Sequence, residues 1–129
     1  MLAIDTNVLV RFVIDDDPQQ AKAARALVGA HQILVSSTVL LEAEWVLRNG
    51  YGLPRRDALQ ALGAVCGLPG VTVDDPDRVA NALRWSSEGL DFADALHLAA
   101  AVDCEAFATF DRKLAKRAGR AESVPIRRL

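Results

Sequence analysis

Two aspartates stand three residues apart in GLDFADALHLAAA (residues 89–101), at the head of an otherwise apolar, alanine-rich segment that reads as a buried helix. Three is the spacing of an N-cap residue and its partner at the third helical position, although Glu or Gln is preferred at the latter. Asp91 fits the cap. Asp94 shares a helical face with Leu98 and Ala101, so it is expected to look inward from the first turn. Two more acids occupy similar edges. Asp5 follows LAI in LAIDTNVLV, and Asp111 follows AFAT in AFATFDRKL, so each lies just past a strand-like run. Asp5 with Thr6 and Asn7 also suits a turn. Asp111 suits the start of a helix, and Thr109 could add a hydroxyl to the same edge.

Glu42 and Glu44 in TVLLEAEWVLR are two apart, so on a helix they point about 200° apart. Glu44 has Arg48 four residues on, the favoured order for an exposed helical ion pair. Glu42 instead has Val39, Trp45 and Val46 as same-face neighbours. A carboxylate on an apolar stripe costs free energy unless it is paired, hydrogen-bonded or metal-bound.

Each acid has a structural explanation by itself. Together, Asp5, Glu42, Asp94 and Asp111 come from four separate segments, and carboxylates sharing one cleft repel unless some stay protonated. A hard divalent cation removes that penalty. Oxygen-only ligation, without Cys or convergent His, selects Mg²⁺ or Mn²⁺ over zinc. Such ions activate water and stabilise in-line displacement at phosphorus, and a second ion about 4 Å away would hold the leaving oxygen.

The remaining reactive residues have plainer readings. His97 among Leu and Ala suits a core or supporting group, and His31 a surface position. Ser36 and Ser37 suit a strand end and cap, with no base nearby to make a nucleophile. DDDP and DDPD suit helix starts. Trp45 and Trp85 suit core or interface. Cys66 and Cys104, isolated and apolar-flanked, suit buried free thiols in a cytosolic protein.

The elements that must position the acids follow from the apolar pattern. LAI (2–4), QILVS (32–36), VTV (71–73), AFAT (106–109) and PIRRL (125–129) are candidate strands. DDPQQAKAARALVG has Asp17 as N-cap, Pro18 at the first helical position and Gly29 as a stop, and DDPDRVANALRWSSEG repeats this with Asp75, Pro76 and Gly89. STVLLEAEWVLRNG predicts a helix from Ser37 to Gly50, and PRRDALQALGAVCG predicts another. Helices between short apolar strands imply a parallel sheet covered on both faces, with the first strand central. Open sheets of this kind bind ligands beyond the carboxyl ends of their strands, where Asp5 and Asp111 lie.

A chain of 129 residues, 51% hydrophobic and 25% charged, fits one globular domain over residues 1–129. It can bury about two thirds of the surface exposed on unfolding, so no metal or disulfide is needed merely to fold. No stretch approaches the roughly 18 apolar residues of a membrane span, and MLAIDTN lacks the features of a signal peptide. The expectation is a soluble, cytoplasmic chain. The net charge is −2, yet from Asp111 onward seven Lys and Arg face two acids, a local +5. Such asymmetry suits either a solvated helix face or a polyanionic partner.

LAIDTNVLVR, STVLLEAEWVLR, GLDFADALHLAAA and FATFDRKLAKRAG occur in this order and cover essentially the whole chain. In these blocks the sequence resembles the PIN domain family, specifically the VapC-type toxins of bacterial toxin–antitoxin pairs. The resemblance implies an α/β fold, a three-layer α/β/α sandwich around a central parallel sheet. It also implies Mg²⁺- or Mn²⁺-dependent endoribonuclease activity on RNA, a homodimer and neutralisation by a small cognate antitoxin. By motif position the family's acids carry over to Asp5, Glu42, Asp94 and Asp111, with Asp5 and Asp94 as the surest metal ligands. Thr6, Asn7 and Thr109 match positions of polar support, and Asp91 is left mainly to the helix end or as an auxiliary acid.

Other readings compete. A haloacid-dehalogenase-like phosphatase needs a second aspartate two residues after the first, where this chain has Asn7. A receiver-like Mg²⁺-binding module expects a phosphoacceptor after the third strand, where Asp74 and Asp75 are better explained by helix capping. A catalytically silent PIN-like interaction module is opposed by acids at all four positions.

Overall fold

In the computed structural model, which describes residues 1–129, all five expected strands form and every strand pairing is parallel. Seven α-helices separate them, so the class is α/β, as the alternating pattern predicts. The chain divides into two compact units, Met1–Pro76 and Asp77–Leu129.

The first unit holds β1 (Leu2–Ala3), β2 (Ile33–Val35) and β3 (Val71–Val73), in the order β1-β2-β3. Ala3 pairs with Leu34, and Val35 with Val73. Within this sheet the middle strand is β2; β1, expected at the centre, takes an edge. The apolar content explains this, because Ile33 and Val35 of β2 are fully buried whereas β1 is short and exposed.

Four helices belong to this unit: α1 (Thr6–Val13), α2 (Pro18–Ala30), α3 (Ser37–Trp45) and α4 (Arg55–Cys66). The predicted start of α2 is correct, with the Asp17 carboxylate accepting from the Gln20 N–H at 3.1 Å and Pro18 opening the helix. The helix passes through Gly29, the expected stop, and ends at Ala30. No strong helix signal marks α1, whose NVLVRFV is rich in β-branched residues. It forms because Asp5 caps it and because Thr6, Leu9 and Val10 share a buried face. Ser36, rather than the expected Ser37, is the side-chain cap of α3. A π-helical turn, Val46–Gly50, carries that helix on to the expected end.

On α3 the two glutamates exchange the environments expected of them. The inward stripe is Leu40, Ala43, Glu44 and Leu47, spaced i, i+3, i+4, i+7. Glu44 is therefore buried, at 1% exposure, and its carboxylate accepts from the Arg48 Nε. The ion pair was expected, but at the surface. Glu42 is exposed, and its neighbour Trp45 is 59% exposed, so no apolar stripe surrounds it.

The second unit holds most of α5 (Pro76–Ser87), then α6 (Phe92–Ala99), β4 (Phe107–Thr109), α7 (Arg112–Arg120) and β5 (Ile126–Arg128). Phe107 pairs with Ile126 and Thr109 with Arg128. Gly89 ends the α5 segment as predicted, with φ +115°, a conformation that residues with a Cβ rarely adopt. The buried Ser86 hydroxyl donates to the Leu90 carbonyl at 2.7 Å and closes this turn. Phe92, Ala95, Leu96, Leu98 and Ala99 then bury most of α6. Trp85 is buried, with the Arg84 guanidinium 5.8 Å from its ring centre.

Two further expectations need correction. His97 is exposed, because its side chain leaves the helix opposite the stripe that buries Leu98. Cys104 is exposed in the turn after α6, whereas Cys66 is half-buried and burial pushes its thiol pKa up. No helix is long and apolar enough to cross a membrane.

Glu44 is the buried partner of the ion pair with Arg48, and removing such a partner costs about 3 kcal/mol. Glu44→Ala should therefore lower the unfolding free energy by about that amount in urea denaturation. Glu42→Ala should leave the midpoint unmoved. Equal effects of the two substitutions would contradict the assignment of inner and outer faces.

Candidate functional site

In a parallel sheet the carboxyl ends of all strands share one edge, and polar residues gather there. In the first unit Asp5 follows β1, Ser36 and Ser37 follow β2, and Asp74 follows β3. Asp5 Oδ1 accepts from the Val8 N–H at 3.0 Å and caps α1. A cap uses one carboxylate oxygen and leaves the other for a ligand. Thr6 is buried in the first turn and Asn7 is exposed beside it. Asp74 is spent on structure, since its Oδ1 accepts from the Ser37 N–H at 2.9 Å at the start of α3. Glu42 stands exposed on α3, one turn after Thr38.

The second unit repeats the device twice. Asp91 caps α6, its Oδ2 accepting from the Asp94 N–H at 3.2 Å. Asp111 caps α7, its Oδ1 accepting from the Leu114 N–H at 3.0 Å. The Thr109 hydroxyl oxygen accepts from the Asp111 N–H at 3.0 Å and fixes the approach to that cap. Asp94, in the first turn of α6, is half-buried and caps nothing. Its carboxyl pKa is raised, first by burial and then by the nearby charges of Asp91 and Asp111. His97 and Arg117 pull the other way. Asp94 thus feels the negative charge of both Asp91 and Asp111.

The candidate residues divide between the units: Asp5, Thr6, Asn7 and Glu42 in the first, Asp91, Asp94, Thr109 and Asp111 in the second. No three His, Cys, Asp or Glu side chains are gathered closely enough to hold a metal ion by themselves. The donor chemistry nevertheless fits a hard divalent cation. The acids supply only oxygen. The raised pKa of Asp94 beside two other carboxylates is the electrostatic condition that a cation relieves.

One polar cluster has no signal in the sequence. Arg11 on α1 donates through Nε to Gln20 Oε1 at 2.8 Å and through Nη1 to Asp16 Oδ1 and the Tyr51 hydroxyl, both at 2.7 Å. The Tyr51 hydroxyl donates to Asp16 Oδ2 at 2.8 Å, and this bond holds the Asp16 carboxyl below its usual range. Tyr51 lies 40 residues from Arg11, so only the fold brings them together.

The model of the PIN domain matches residues 2–120, nearly the whole chain. No curated protein matches the sequence significantly. PIN domains are generally nucleases and typically use divalent metal ions. The alternating parallel α/β elements, the acids at strand and helix ends, and the span of the match lead to one conclusion: this chain belongs to the PIN domain family.

Proposed function

We propose that the protein is a cytoplasmic, metal-dependent endoribonuclease that hydrolyses RNA phosphodiester bonds and acts as the toxin of a type II toxin–antitoxin pair. The observation that carries this reading is the raised pKa of Asp94, a half-buried carboxylate set beside Asp91 and Asp111 in a member of a nuclease family. A carboxylate kept at such a cost, and not used as a cap, is explained by a ligand that needs its charge. Asp5 and Asp94 are the principal proposed ligands of Mg²⁺ or Mn²⁺, with Glu42 and Asp111 completing the set or supporting a second ion. When bound, the cation would supply charge to the phosphate oxygens and lower the pKa of a water.

The chain's own residues have distinct tasks in this reading. Asp5 and Asp111 hold a helix start with one oxygen and offer the other. Thr109 fixes the backbone at Asp111, and Thr6 and Asn7 give polar support next to Asp5. The exposed cations Arg112, Lys113, Lys116 and Arg120 of α7 would bind the RNA backbone, a contribution that weakens with salt. A homodimer and a small neutralising antitoxin complete the proposal.

Asparagine is the informative substitution, because it caps a helix as well as aspartate while removing the charge. Asp5→Asn and Asp94→Asn should each abolish cleavage of structured RNAs in Mg²⁺ or Mn²⁺ without altering the circular dichroism spectrum, and chelator should abolish wild-type cleavage. Full activity in Asp94→Asn, or in chelator, would sink the mechanism. Induced expression should arrest growth, and co-expression of the adjacent gene should relieve the arrest; absence of arrest would favour a silent binding module.

The raised pKa of Asp94 also sets a stability profile in chelator. The folded state holds this proton more tightly than the unfolded chain, so the contribution to stability is present below the ordinary carboxyl pKa and is lost as pH rises through the raised value. Asp94→Asn should therefore melt higher than wild type at neutral pH and lose that advantage near about pH 4. A melting temperature below wild type at neutral pH would contradict the electrostatic cost assigned to Asp94.

A further inference from the structure

Between α1 and α2, within the first unit, lies a pocket of about 430 Å³. Its α2 wall is one helical face, Gln20, Ala23, Ala24 and Leu27, spaced i, i+3, i+4, i+7. Two of these are alanines, with short side chains, and Val8 lines the pocket from α1. Asp5, the first proposed metal ligand, lines the same pocket, as do Asn7 and Arg11. The cavity therefore begins where the proposed chemistry ends.

Its lining selects the kind of group it would hold. Val8, Ala23, Ala24 and Leu27 make part of the lining apolar, and Asn7, Gln20 and Arg11 add two carboxamides and a guanidinium, which offer donors and acceptors. The Arg11 charge is already answered by Asp16, and Asp5 adds a negative charge at the mouth, so an anion is disfavoured. Gln20 is held by its carbonyl oxygen through Arg11 Nε, which fixes the direction of its amide N–H groups. Arg11 spends Nε and Nη1 on these bonds, and Nη2 remains to reach a ligand edge. A neutral, flat, hydrogen-bonding group suits this setting, and the volume falls in the range of small-molecule sites.

We infer that this pocket receives an unstacked nucleobase of the RNA, next to the phosphate being cut, and that Gln20, Asn7 and Arg11 read its edge. The inference rests on the ribonuclease reading above and deepens it. Single-stranded RNA is recognised in part by hydrogen bonds to the edges of splayed-out bases, for which Asn7, Gln20 and Arg11 supply donors and acceptors. Sequence preference in cleavage would then be set in the first unit, at α1 and α2.

The test has two readouts, one independent of cleavage. Ala23 is exposed, so Ala23→Phe should fill the pocket without disturbing the fold, and Gln20→Ala removes a reading group without adding bulk. The four nucleoside 5′-monophosphates are titrated into metal-free, nitrogen-15-labelled protein, with ribose 5-phosphate as control, while the side-chain amide signals of Asn7 and Gln20 are followed. At least one nucleotide should move both signals, ribose 5-phosphate should not, and Ala23→Phe should abolish the effect. In parallel, a random-sequence single-stranded RNA pool is cut and the products sequenced. Ala23→Phe should lower kcat/KM about tenfold, and both variants should flatten the base preference at one position beside the cut. Unmoved amide signals with an unchanged preference overturn the inference, and so does an equal response to ribose 5-phosphate. An unchanged cleavage pattern in Ala23→Phe, with loss of neutralisation by a partner protein, assigns the pocket to that protein and also overturns it. If wild type cuts no RNA while a nucleotide still moves the amides in an Ala23-dependent way, the pocket stands and the ribonuclease reading falls.

Discussion

The structure depends on aspartates that each cap the helix that follows them. Asp5, Asp91 and Asp111 all accept from a backbone N–H three residues on, and Asp17 does the same at α2. Such a cap satisfies an otherwise orphaned donor and stabilises the helix by about 1 kcal/mol. It also holds the carboxylate rigidly while using one of its two oxygens. Asp5 and Asp111, which follow β1 and β4, are held in this way at the carboxyl ends of their strands, with one oxygen of each engaged by the cap. Structural and catalytic explanations of these aspartates do not exclude each other.

Asp94 departs from that economy. It shares the first turn of α6 with a capping neighbour, is half-buried, and is raised in pKa by burial and by two other acids. Nothing in the packing of α6 requires a carboxylate there, because Phe92, Ala95, Leu96 and Leu98 already anchor the helix. The charged form is disfavoured at this position. Functional sites commonly show such local losses, which surrounding structure offsets. The same helix supplies the offset here, since its apolar remainder fixes the backbone that carries the acid.

Much of this was legible in the sequence because it is local. Asp17–Pro18 and Gly89 mark boundaries through backbone chemistry that acts within a few residues, and the five strands follow from short apolar runs between such signals. The inner face of α3 was not legible. Glu42 and Glu44 each have apolar neighbours at helical spacing, Val39 and Val46 for one, Leu40 and Leu47 for the other. Only packing decides which stripe turns inward, and it chose Glu44. The Arg11–Asp16–Tyr51 cluster was illegible for a related reason, since its members meet only after α1, α2 and the segment following α3 are in place. The candidate acids lie between these cases. Their helix-end positions are local and were readable, whereas the repulsion around Asp94 arises only when α6 and the start of α7 are brought near each other.

In the proposed function a divalent cation would relieve the electrostatic cost carried by Asp94. Direct titration of the metal-free protein with Mn²⁺, followed by electron paramagnetic resonance of the free ion, tests it without reference to any substrate. Wild type should take up Mn²⁺, and Asp94→Asn, folded by circular dichroism, should bind at least about tenfold more weakly. Equal Mn²⁺ affinity in the two proteins would contradict the account.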